Sequence, residues 1–238
     1  MNNKIIVIEG TDGCGKQTQT QMLLDRLTAN KISAVKQSFP NYQSLSSGPV
    51  KLYLDGKLST SAKGLTAYQA SSLYAVDRLC TIKEMEQKIY PESIVVFDRY
   101  VTANMLHQAG KISNIAERDR FLKWLDEFEF GTLLLPRPSQ VIFLDRPVEM
   151  SKKLAASRPD LKTGMKKDIH ESDEQHLIDS YNAGKYVAHK FGWTVIKCLN
   201  DKNELKPIEQ IHEEIWQACF GKDKKLNAKN TKYSSSKF

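Results

Sequence analysis

The amino-acid sequence predicts an α/β protein built on a doubly wound, parallel sheet of five strands flanked by helices. Three observations favour this fold class. Short apolar runs of strand length recur along the chain, longer segments of helical periodicity separate them, and a glycine-rich segment joins the first run to the first helical segment. Strands that alternate with helices are typical of parallel sheets, because each crossover between parallel strands needs a long connection.

Five apolar runs are the predicted strands of this sheet. The clearest are residues 5–8, 94–97 and 141–144, which are rich in Val, Ile, Leu and Phe without alternation of apolar and polar residues. Such continuous runs are typical of parallel strands that are buried on both faces. Two weaker runs, residues 33–39 and 194–199, complete the predicted sheet.

Six segments with helical periodicity predict the helices that flank the sheet. Pro207 opens the last of them, and Ile208, Ile211 and Ile215 form one apolar stripe along it, which is the pattern of a helix packed against a core. The six predicted helices cover residues 18–30, 67–89, 115–128, 147–156, 174–191 and 207–220.

Two segments fit neither pattern and are predicted to be substrate loops. Residues 41–66 are rich in Ser and Gly, and residues 158–173 are dense in charged side chains. In an open α/β sheet, insertions of this kind near the carboxyl ends of the strands cover bound substrates.

The net charge of +7 is concentrated at the end of the chain. Residues 221–238 hold six lysines against one aspartate, together with Asn, Ser and few apolar residues. This composition predicts a disordered, solvated tail rather than a nucleic-acid-binding surface. We therefore expect a single domain, residues 1–220, followed by the tail, and we do not expect nucleic acid as a partner.

The composition also bears on location and on metal content. No run of about eighteen apolar residues occurs, and the N-terminal residues lead directly into the first strand. The four cysteines are scattered without the spacing of a zinc site or of a disulfide framework. We expect a soluble, cytoplasmic protein with reduced thiols, without zinc and without a membrane-spanning helix.

The segment between the first strand and the first helix has the spacing of a phosphate-binding loop. Residues 10–16 read GTDGCGK, which matches the pattern G-x-x-x-x-G-K in the strand–turn–helix context that the pattern requires. The glycines allow backbone N–H groups to surround a phosphate, and Lys16 reaches its oxygens beside the helix N-terminus. The predicted nucleotide-binding residues are Gly10, Thr11, Asp12, Gly13, Cys14, Gly15, Lys16, Gln17 and Thr18.

The position after Lys16 departs from the usual motif. A serine or threonine hydroxyl normally binds Mg²⁺ there, but this chain has Gln17, and Thr18 points elsewhere on the helix. Either carboxylates and water hold the metal, or the loop binds phosphate without efficient catalysis. We favour the first alternative because a carboxylate, Asp98, is available at the end of another strand.

Asp98 and Arg99 directly follow the strand at residues 94–97. An aspartate in this position can anchor Mg²⁺, and an adjacent arginine can clamp a phosphate. The alternative for Asp98 is an ordinary salt bridge at the end of a strand. Asp145 ends the next strand in the same way, but Arg146 and a proline follow it, which favours a helix cap or a pair at the sheet edge.

One predicted helix carries an aromatic ring and a guanidinium group on the same face. Tyr74 and Arg78 are four residues apart, so together they can stack on a base and hydrogen-bond to its edge. Taken alone, Tyr74 is more typical of a core residue, and Arg78 of an ion-pair partner for Asp77 or a glutamate. The pair is therefore a candidate base-binding site only in combination with the other motifs.

Several ordered motifs together resemble the thymidylate kinase family of P-loop nucleoside monophosphate kinases. The likeness runs from about residue 5 to about residue 191 and includes the Phe39–Pro40 pair. The other segments that carry it read EGTDGCGKQTQ, LYAVDR, DRYVTANMLHQ, LLPRP and DIHESD. The resemblance implies a P-loop kinase fold and transfer of the γ-phosphoryl group of ATP to thymidine monophosphate (dTMP), with Mg²⁺ as cofactor.

The resemblance also implies roles for individual residues. Lys16 and the loop amides would hold the ATP phosphates, Arg99 would clamp the acceptor phosphate, and Asp98 would organise Mg²⁺. Asp12 would face the deoxyribose 3′-hydroxyl and the metal, and Tyr74 would stack on thymine. The other residues implied at the acceptor are Arg78 and Asn104 at the polar edge of the base, Pro40 near its methyl group, and Phe39 and Gln108.

The resemblance further implies that residues 158–173 form a lid. Family members without an arginine in the phosphate loop carry their catalytic cations in the lid. Asp168 matches an acidic lid residue and is a candidate metal ligand, and His170 is a candidate acceptor contact where some relatives carry an aromatic residue. The alternative for residues 166–174 is a solvated helix start that Ser172 or Asp173 caps. The candidate catalytic cations of the lid are Arg158, Lys162, Lys166 and Lys167.

Three other functions stay open on the sequence. A deoxynucleoside kinase would need a carboxylate base for a neutral hydroxyl, and Arg99 beside Asp98 argues against it. Gln17 is compatible with a nucleotide sensor that has no transferase activity, and the Lys-rich tail with a nucleic-acid-binding protein. The guanine-binding pattern N-K-x-D is absent from the chain, which argues against a GTPase. The family resemblance also implies a homodimer.

Overall fold

The computed structural model of the chain describes residues 4–89, 92–151 and 173–221. The segment expected to form a lid, residues 158–173, therefore lies outside the described residues except for Asp173. The predicted tail, residues 221–238, lies outside them except for Gly221.

The five predicted strands form one parallel sheet in the order β2-β3-β1-β4-β5. The prediction of a parallel, five-stranded sheet is thus confirmed. The register places Ile8 of β1 beside Asp98 of β3, and Glu9 beside Phe143 of β4, so the carboxyl ends of the three central strands meet at one edge. The strands are β1 Ile5–Glu9, β2 Ala34–Ser38, β3 Ile94–Asp98, β4 Gln140–Asp145 and β5 Thr194–Lys197.

Helices cover both faces of the sheet, as a doubly wound fold requires. The predicted helix at residues 147–156 is seen only in part, because residues 148–151 are helical and the remainder lies outside the described residues. The other helices are α1 Lys16–Ala29, α2 Gly48–Leu54, α3 Ala67–Glu86, α4 Val101–His107, α5 Ile115–Asp126, α6 Glu174–Lys190 and α7 Ile208–Phe220.

The central strand β1 shows why its sequence is apolar throughout. Ile5 and Val7 face one core, which α3, α4, α5 and α6 cover, whereas Ile6 and Ile8 face a second core, which α1 and α7 cover. All four side chains are at most 1% exposed. Burial of a side chain of this size contributes about 1.5–3 kcal/mol, so the two cores fix β1, and with it the loop that follows, in the middle of the sheet.

Three local features differ from the sequence expectations. The segment 41–66, expected to follow neither pattern, contains a 3₁₀ turn at Leu45–Ser47 and the helix α2. Helix α5 ends two residues before the predicted end, and a π-helical turn, Glu127–Thr132, follows it. The helix α4 was not predicted, because its seven residues are too few to display a helical period.

No helix within residues 4–89, 92–151 and 173–221 is long and apolar enough to cross a membrane.

Candidate active site

The phosphate-binding loop connects the end of β1 to the start of α1 and depends on glycine. Gly10, Gly13 and Gly15 have φ angles of 147°, 75° and 100°, which residues other than glycine rarely adopt. A Cβ atom on Gly10 would lie 2.6 Å from the Sγ atom of Cys14 and 2.9 Å from the carbonyl oxygen of Leu144. The backbone is therefore packed too closely for any other residue at this point.

Lys16 is folded over the loop that precedes it. Its side chain is only 7% exposed, its Nζ atom donates to the carbonyl oxygen of Thr11 at 2.8 Å, and Nζ lies 4.0 Å from Oδ1 of Asp12. Gln17 lines the neighbouring cavity, whereas Thr18 is exposed on α1 and does not. The ammonium group is thus held where the loop would place phosphate oxygens.

Asp12 joins the loop to the residue that follows β3. Its Oδ1 atom accepts a hydrogen bond from Nη2 of Arg99, and the two groups form an ion pair. Burial alone would raise the pKa of Asp12, but the charges of Arg99 and Lys16 outweigh it and hold this pKa well below its usual range. The carboxylate is therefore ionised and links the two cations.

Arg99 occupies a strained backbone conformation. Its φ angle is 65°, in the left-handed region, where a residue that is not glycine costs on the order of 1–3 kcal/mol. Its Nη1 atom lies 2.9 Å from Nε2 of His107, whose ring stacks on His176 with centroids 5.8 Å apart. Strain of this kind persists where the surrounding structure fixes it, which is common at functional sites.

Glu9 holds the turn that carries Arg99, and the sequence interpretation missed it. Its side chain is fully buried at the end of β1 and accepts hydrogen bonds from the backbone nitrogen of Tyr100 at 3.0 Å and from Oγ1 of Thr102 at 2.7 Å. Desolvation raises the pKa of Glu9, although the charge of Arg99 opposes it. The only available signal was a carboxylate at the end of an otherwise apolar strand, directly before Gly10.

Arg146 is a second residue of the site that the sequence interpretation missed. The sequence favours a helix cap or a sheet-edge pair for Asp145 and assigns no role to Arg146. Asp145 does accept a hydrogen bond from the hydroxyl of Tyr181 at 2.7 Å, but Nη1 of Arg146 donates to the carbonyl oxygen of Gly13 at 3.2 Å. Arg146 is thus a buried cation against the phosphate-binding loop.

A cavity of about 370 Å³ opens at the carboxyl ends of the strands, beside the phosphate-binding loop. Ala103 and His107 are among the residues that line this cavity, and His107 was not among the predicted site residues. Asp98 and Gln17 contribute to its wall as well. The predicted acceptor residues that the fold brings together here are Asp12, Phe39, Pro40, Tyr74, Arg78, Arg99, Asn104 and Gln108.

The aromatic wall of the cavity comes from separate parts of the chain. Tyr74 is half-buried on α3, whose start is fixed by reciprocal hydrogen bonds between Thr66 and Gln69. Phe39, which precedes Pro40 across a cis peptide bond, packs against Tyr100 with ring centroids 5.6 Å apart. The cavity therefore offers aromatic rings to a flat ligand at this end.

Arg78 lies at the same end, but as a buried ion-pair partner. It is 1% exposed, and Glu129 of the π-helical turn accepts hydrogen bonds from its Nε and Nη2 atoms, both at 2.6 Å. Of the two partners considered from the sequence, Asp77 is instead the acceptor for the backbone nitrogen of Asn41 and for Ser46. The glutamate alternative is the one the structure supports.

The predicted catalytic and binding residues of the lid all precede Asp173, the first residue described after residue 151. Arg158, Lys166, Lys167, Asp168 and His170 all lie outside the described residues. The structure does describe the end of this segment, where the Oδ1 atom of Asp173 accepts a hydrogen bond from the backbone nitrogen of His176 at 2.9 Å and so caps α6. One of the two caps considered from the sequence is therefore observed.

Comparison with known proteins agrees with this geometry. The family model described as thymidylate kinase matches residues 8–215. A probable thymidylate kinase of Methanococcus aeolicus is 30% identical, over 94% of this chain and 98% of that protein, and the thymidylate kinase of Mycobacterium tuberculosis is 27% identical over 72% and 79%. The structure of a thymidylate kinase from Candida albicans has the same fold, with a TM-score of 0.65, 18% identity and 94% of each chain covered. On these matches and on the phosphate-binding loop at the edge of a parallel sheet, the chain belongs to the thymidylate kinase family.

Proposed function

We propose that this protein transfers the γ-phosphoryl group of ATP to the 5′-phosphate of dTMP and releases thymidine diphosphate and ADP. The observation that carries the proposal is the link from Lys16 through Asp12 to Arg99. This link places the ammonium group of Lys16, which can bind the phosphates of a nucleoside triphosphate, near the guanidinium group of Arg99, which can bind an acceptor phosphate. The cavity extends from Arg99 towards Tyr74, which leaves room for a nucleoside.

Each half of the site would hold one substrate. On the donor side, the loop amides and Lys16 would bind the β- and γ-phosphates of ATP. On the acceptor side, Arg99 would clamp the 5′-phosphate, and Tyr74 would stack on the base. Gln108 is 1% exposed, and its Oε1 atom accepts no hydrogen bond from any described residue, so it can serve as an acceptor for the nucleoside.

The reaction asks little covalent chemistry of these residues. A phosphate acceptor is already ionised at neutral pH, so no general base is needed, and catalysis depends on alignment, exclusion of water and stabilisation of charge. Lys16 and Arg99 would stabilise the charge that spreads over the transferred group. The lid would complete this role with Arg158, Lys166 and Lys167, and His170 would contact the acceptor.

The carboxylates near the cavity fit a Mg²⁺ ion that would be held mainly by nucleotide phosphates and water. Asp98 lines the cavity, and no hydrogen bond or ion pair joins its carboxylate to another residue that the structure describes. Within residues 4–89, 92–151 and 173–221, no group of three or more Asp, Glu, His or Cys side chains is arranged to hold a metal ion. Mg²⁺ retains several waters and often uses one or two carboxylates, for which Asp98, Asp12 and Asp168 are our candidates. When bound, Mg²⁺ would supply positive charge that neutralises part of the negative charge of the phosphates.

Asp98→Asn should raise the Mg²⁺ concentration needed for half-maximal activity and lower turnover, because an amide oxygen is a weaker ligand for Mg²⁺ or its waters than a carboxylate. ADP release titrated with Mg²⁺ measures this, and Mg²⁺-dependent binding of a fluorescent ATP analogue gives a second readout. Asp145→Asn is the matched control, since Asp145 also ends a strand but is hydrogen-bonded to Tyr181. An unchanged Mg²⁺ dependence for Asp98→Asn would show that Asp98 is not the metal anchor.

Tyr74→Ala should raise the KM for dTMP while the KM for ATP stays the same. Loss of a stacked ring costs ~1–3 kcal/mol per base in nucleic-acid-binding proteins, which corresponds to a change of roughly 5- to 150-fold. Tyr74→Phe keeps the ring and is expected to behave like the parent. Unfolding of the alanine variant, observed by circular dichroism, would instead identify Tyr74 as a core residue.

The test of the proposed function is an ADP-release assay with each common nucleoside monophosphate and with thymidine as acceptors. We expect dTMP to give the highest kcat/KM. Turnover of thymidine without turnover of dTMP would favour a deoxynucleoside kinase, and binding of ATP without transfer to any acceptor would favour a sensor. The homodimer implied by the family resemblance and the cytoplasmic location both stay predictions.

A further inference from the structure

The buried carboxylate of Glu129 contacts two of the side chains that line the acceptor cavity. It lies in the π-helical turn Glu127–Thr132 and is completely buried. Besides its two hydrogen bonds from Arg78, its Oε1 atom accepts one from Nδ2 of Asn104 at 3.3 Å. Neither the sequence motifs nor the family resemblance pointed to Glu129.

Stability alone does not explain this arrangement. Removing two charges from water costs several kcal/mol per ion, and replacing a buried ion pair by apolar residues of similar volume is often neutral or stabilising. A completely buried glutamate in the turn after α5 therefore calls for another reason. Its effect on the two cavity residues supplies one.

Glu129 determines which atoms of Arg78 are left to face a ligand. Nε and Nη2 are committed to the carboxylate, and Nη1 donates to the carbonyl oxygen of Tyr100 at 3.3 Å. Nη1 and Nη2 each carry two hydrogen atoms, so one hydrogen atom on each nitrogen is left to donate after these bonds. Arg78 thus offers a donor, and no acceptor, to the cavity that it lines.

The same carboxylate determines the orientation of the Asn104 amide. Nδ2 donates to Oε1 of Glu129 at 3.3 Å and to the carbonyl oxygen of Ser71 at 3.4 Å. Both partners can only accept, so the amide nitrogen must face them and the amide oxygen is left as an acceptor. A flipped amide would set its oxygen against a carboxylate and a carbonyl.

A donor next to an acceptor is complementary to a pyrimidine with an oxo group at C4. Thymine and uracil present O4 as acceptor and N3–H as donor, whereas cytosine presents an N4 amino group as donor and N3 as acceptor. We propose that Glu129 is a specificity-determining positioning residue, which fixes Arg78 and Asn104 so that the cavity accepts a 4-oxo pyrimidine and rejects a 4-amino one. The inference rests on the proposed function, because it assumes that the acceptor base occupies this end of the cavity.

The test compares kcat/KM for dTMP with kcat/KM for deoxycytidine monophosphate in Glu129→Gln. The glutamine keeps the shape of the side chain, but its NH₂ group would face donors on Arg78 or Asn104. We expect the dTMP KM to rise about tenfold or more, the ratio of the two kcat/KM values to fall by a similar factor, and the ATP KM to stay within about twofold of the parent. Direct calorimetric binding of dTMP should weaken in parallel.

Matched variants keep the result decisive. Asp126→Asn breaks the exposed pair between Asp126 and Arg137, one turn earlier, and should leave the ratio unchanged. If Glu129→Gln does not fold, Glu129→Asp replaces it in the test. The aspartate keeps the negative charge that compensates Arg78, but it is too short to accept all three hydrogen bonds. The ratio of kcat/KM for dTMP to kcat/KM for deoxycytidine monophosphate should therefore fall in this variant. If a folded Glu129 variant has the same ratio of kcat/KM values as the parent, the proposed role of Glu129 is wrong. If the parent enzyme itself has no activity on dTMP, the proposed function is wrong.

Discussion

Lys16→Ala should reduce turnover at saturating ATP and dTMP on the order of a hundredfold or more. The side chain is nearly buried and already held against the loop by its bond to Thr11, so its charge acts in a site with little water. In phosphoryl transfer, negative charge spreads over the oxygens of the moving group, and a fixed cation stabilises this state more than the ground state. The loss should therefore appear in kcat as well as in kcat/KM.

Steady-state ADP release and single-turnover assays measure this effect. Lys36→Ala is the control, because the Nζ atom of Lys36 donates to Oε1 of exposed Gln21 at 2.9 Å, away from the cavity. Circular dichroism and thermal unfolding establish that the Lys16 variant is folded. Near-normal turnover in a folded Lys16→Ala protein would refute the assignment of residues 10–16 as the catalytic phosphate-binding loop.

Arg99→Ala should lower kcat/KM for dTMP by about a hundredfold or more, with little effect on the affinity for ATP. A guanidinium bound to a phosphate makes two charge-assisted hydrogen bonds, and each is worth ~1.5–3 kcal/mol. In this variant Asp12 would lose its ion pair with Arg99 and keep only Lys16 as a neighbouring cation. Repulsion between this carboxylate and the incoming phosphate should increase the loss further.

Two companion variants separate the possible causes. Arg99→Lys keeps the charge but loses the planar fork, so it should lie between the parent and Arg99→Ala. Arg137→Ala removes an exposed arginine that is paired with Asp126, and should leave both KM values unchanged. If Arg99→Ala impaired ATP binding and spared dTMP, Arg99 would belong to the donor side.

Prediction from the sequence succeeded where the signal is local. The strands β1, β3 and β4 contain continuous apolar runs, because they are buried on both faces, and α3 starts at the predicted residue, after its Thr66 cap. The helix α4 and the π-helical turn were missed, because neither is long enough to display a periodic pattern. These two elements nevertheless carry Asn104, His107 and Glu129.

The sequence by itself determined the parallel sheet, the phosphate-binding loop and the presence of Asp98 and Arg99 at a strand end, since each depends on neighbouring residues. Tertiary structure alone decided the partners: Arg99 with Asp12, 87 residues apart, Arg78 with Glu129, 51 apart, and Arg146 with Gly13, 133 apart. The contacts of Arg99 and Arg146 require that β3 and β4 pair with β1, which brings their carboxyl ends to one edge of the sheet. The contact of Arg78 requires that α3 lie against the turn that follows α5. No periodicity or spacing encodes which charged side chain will neutralise another across that distance, because burial and geometry of the folded chain make the choice.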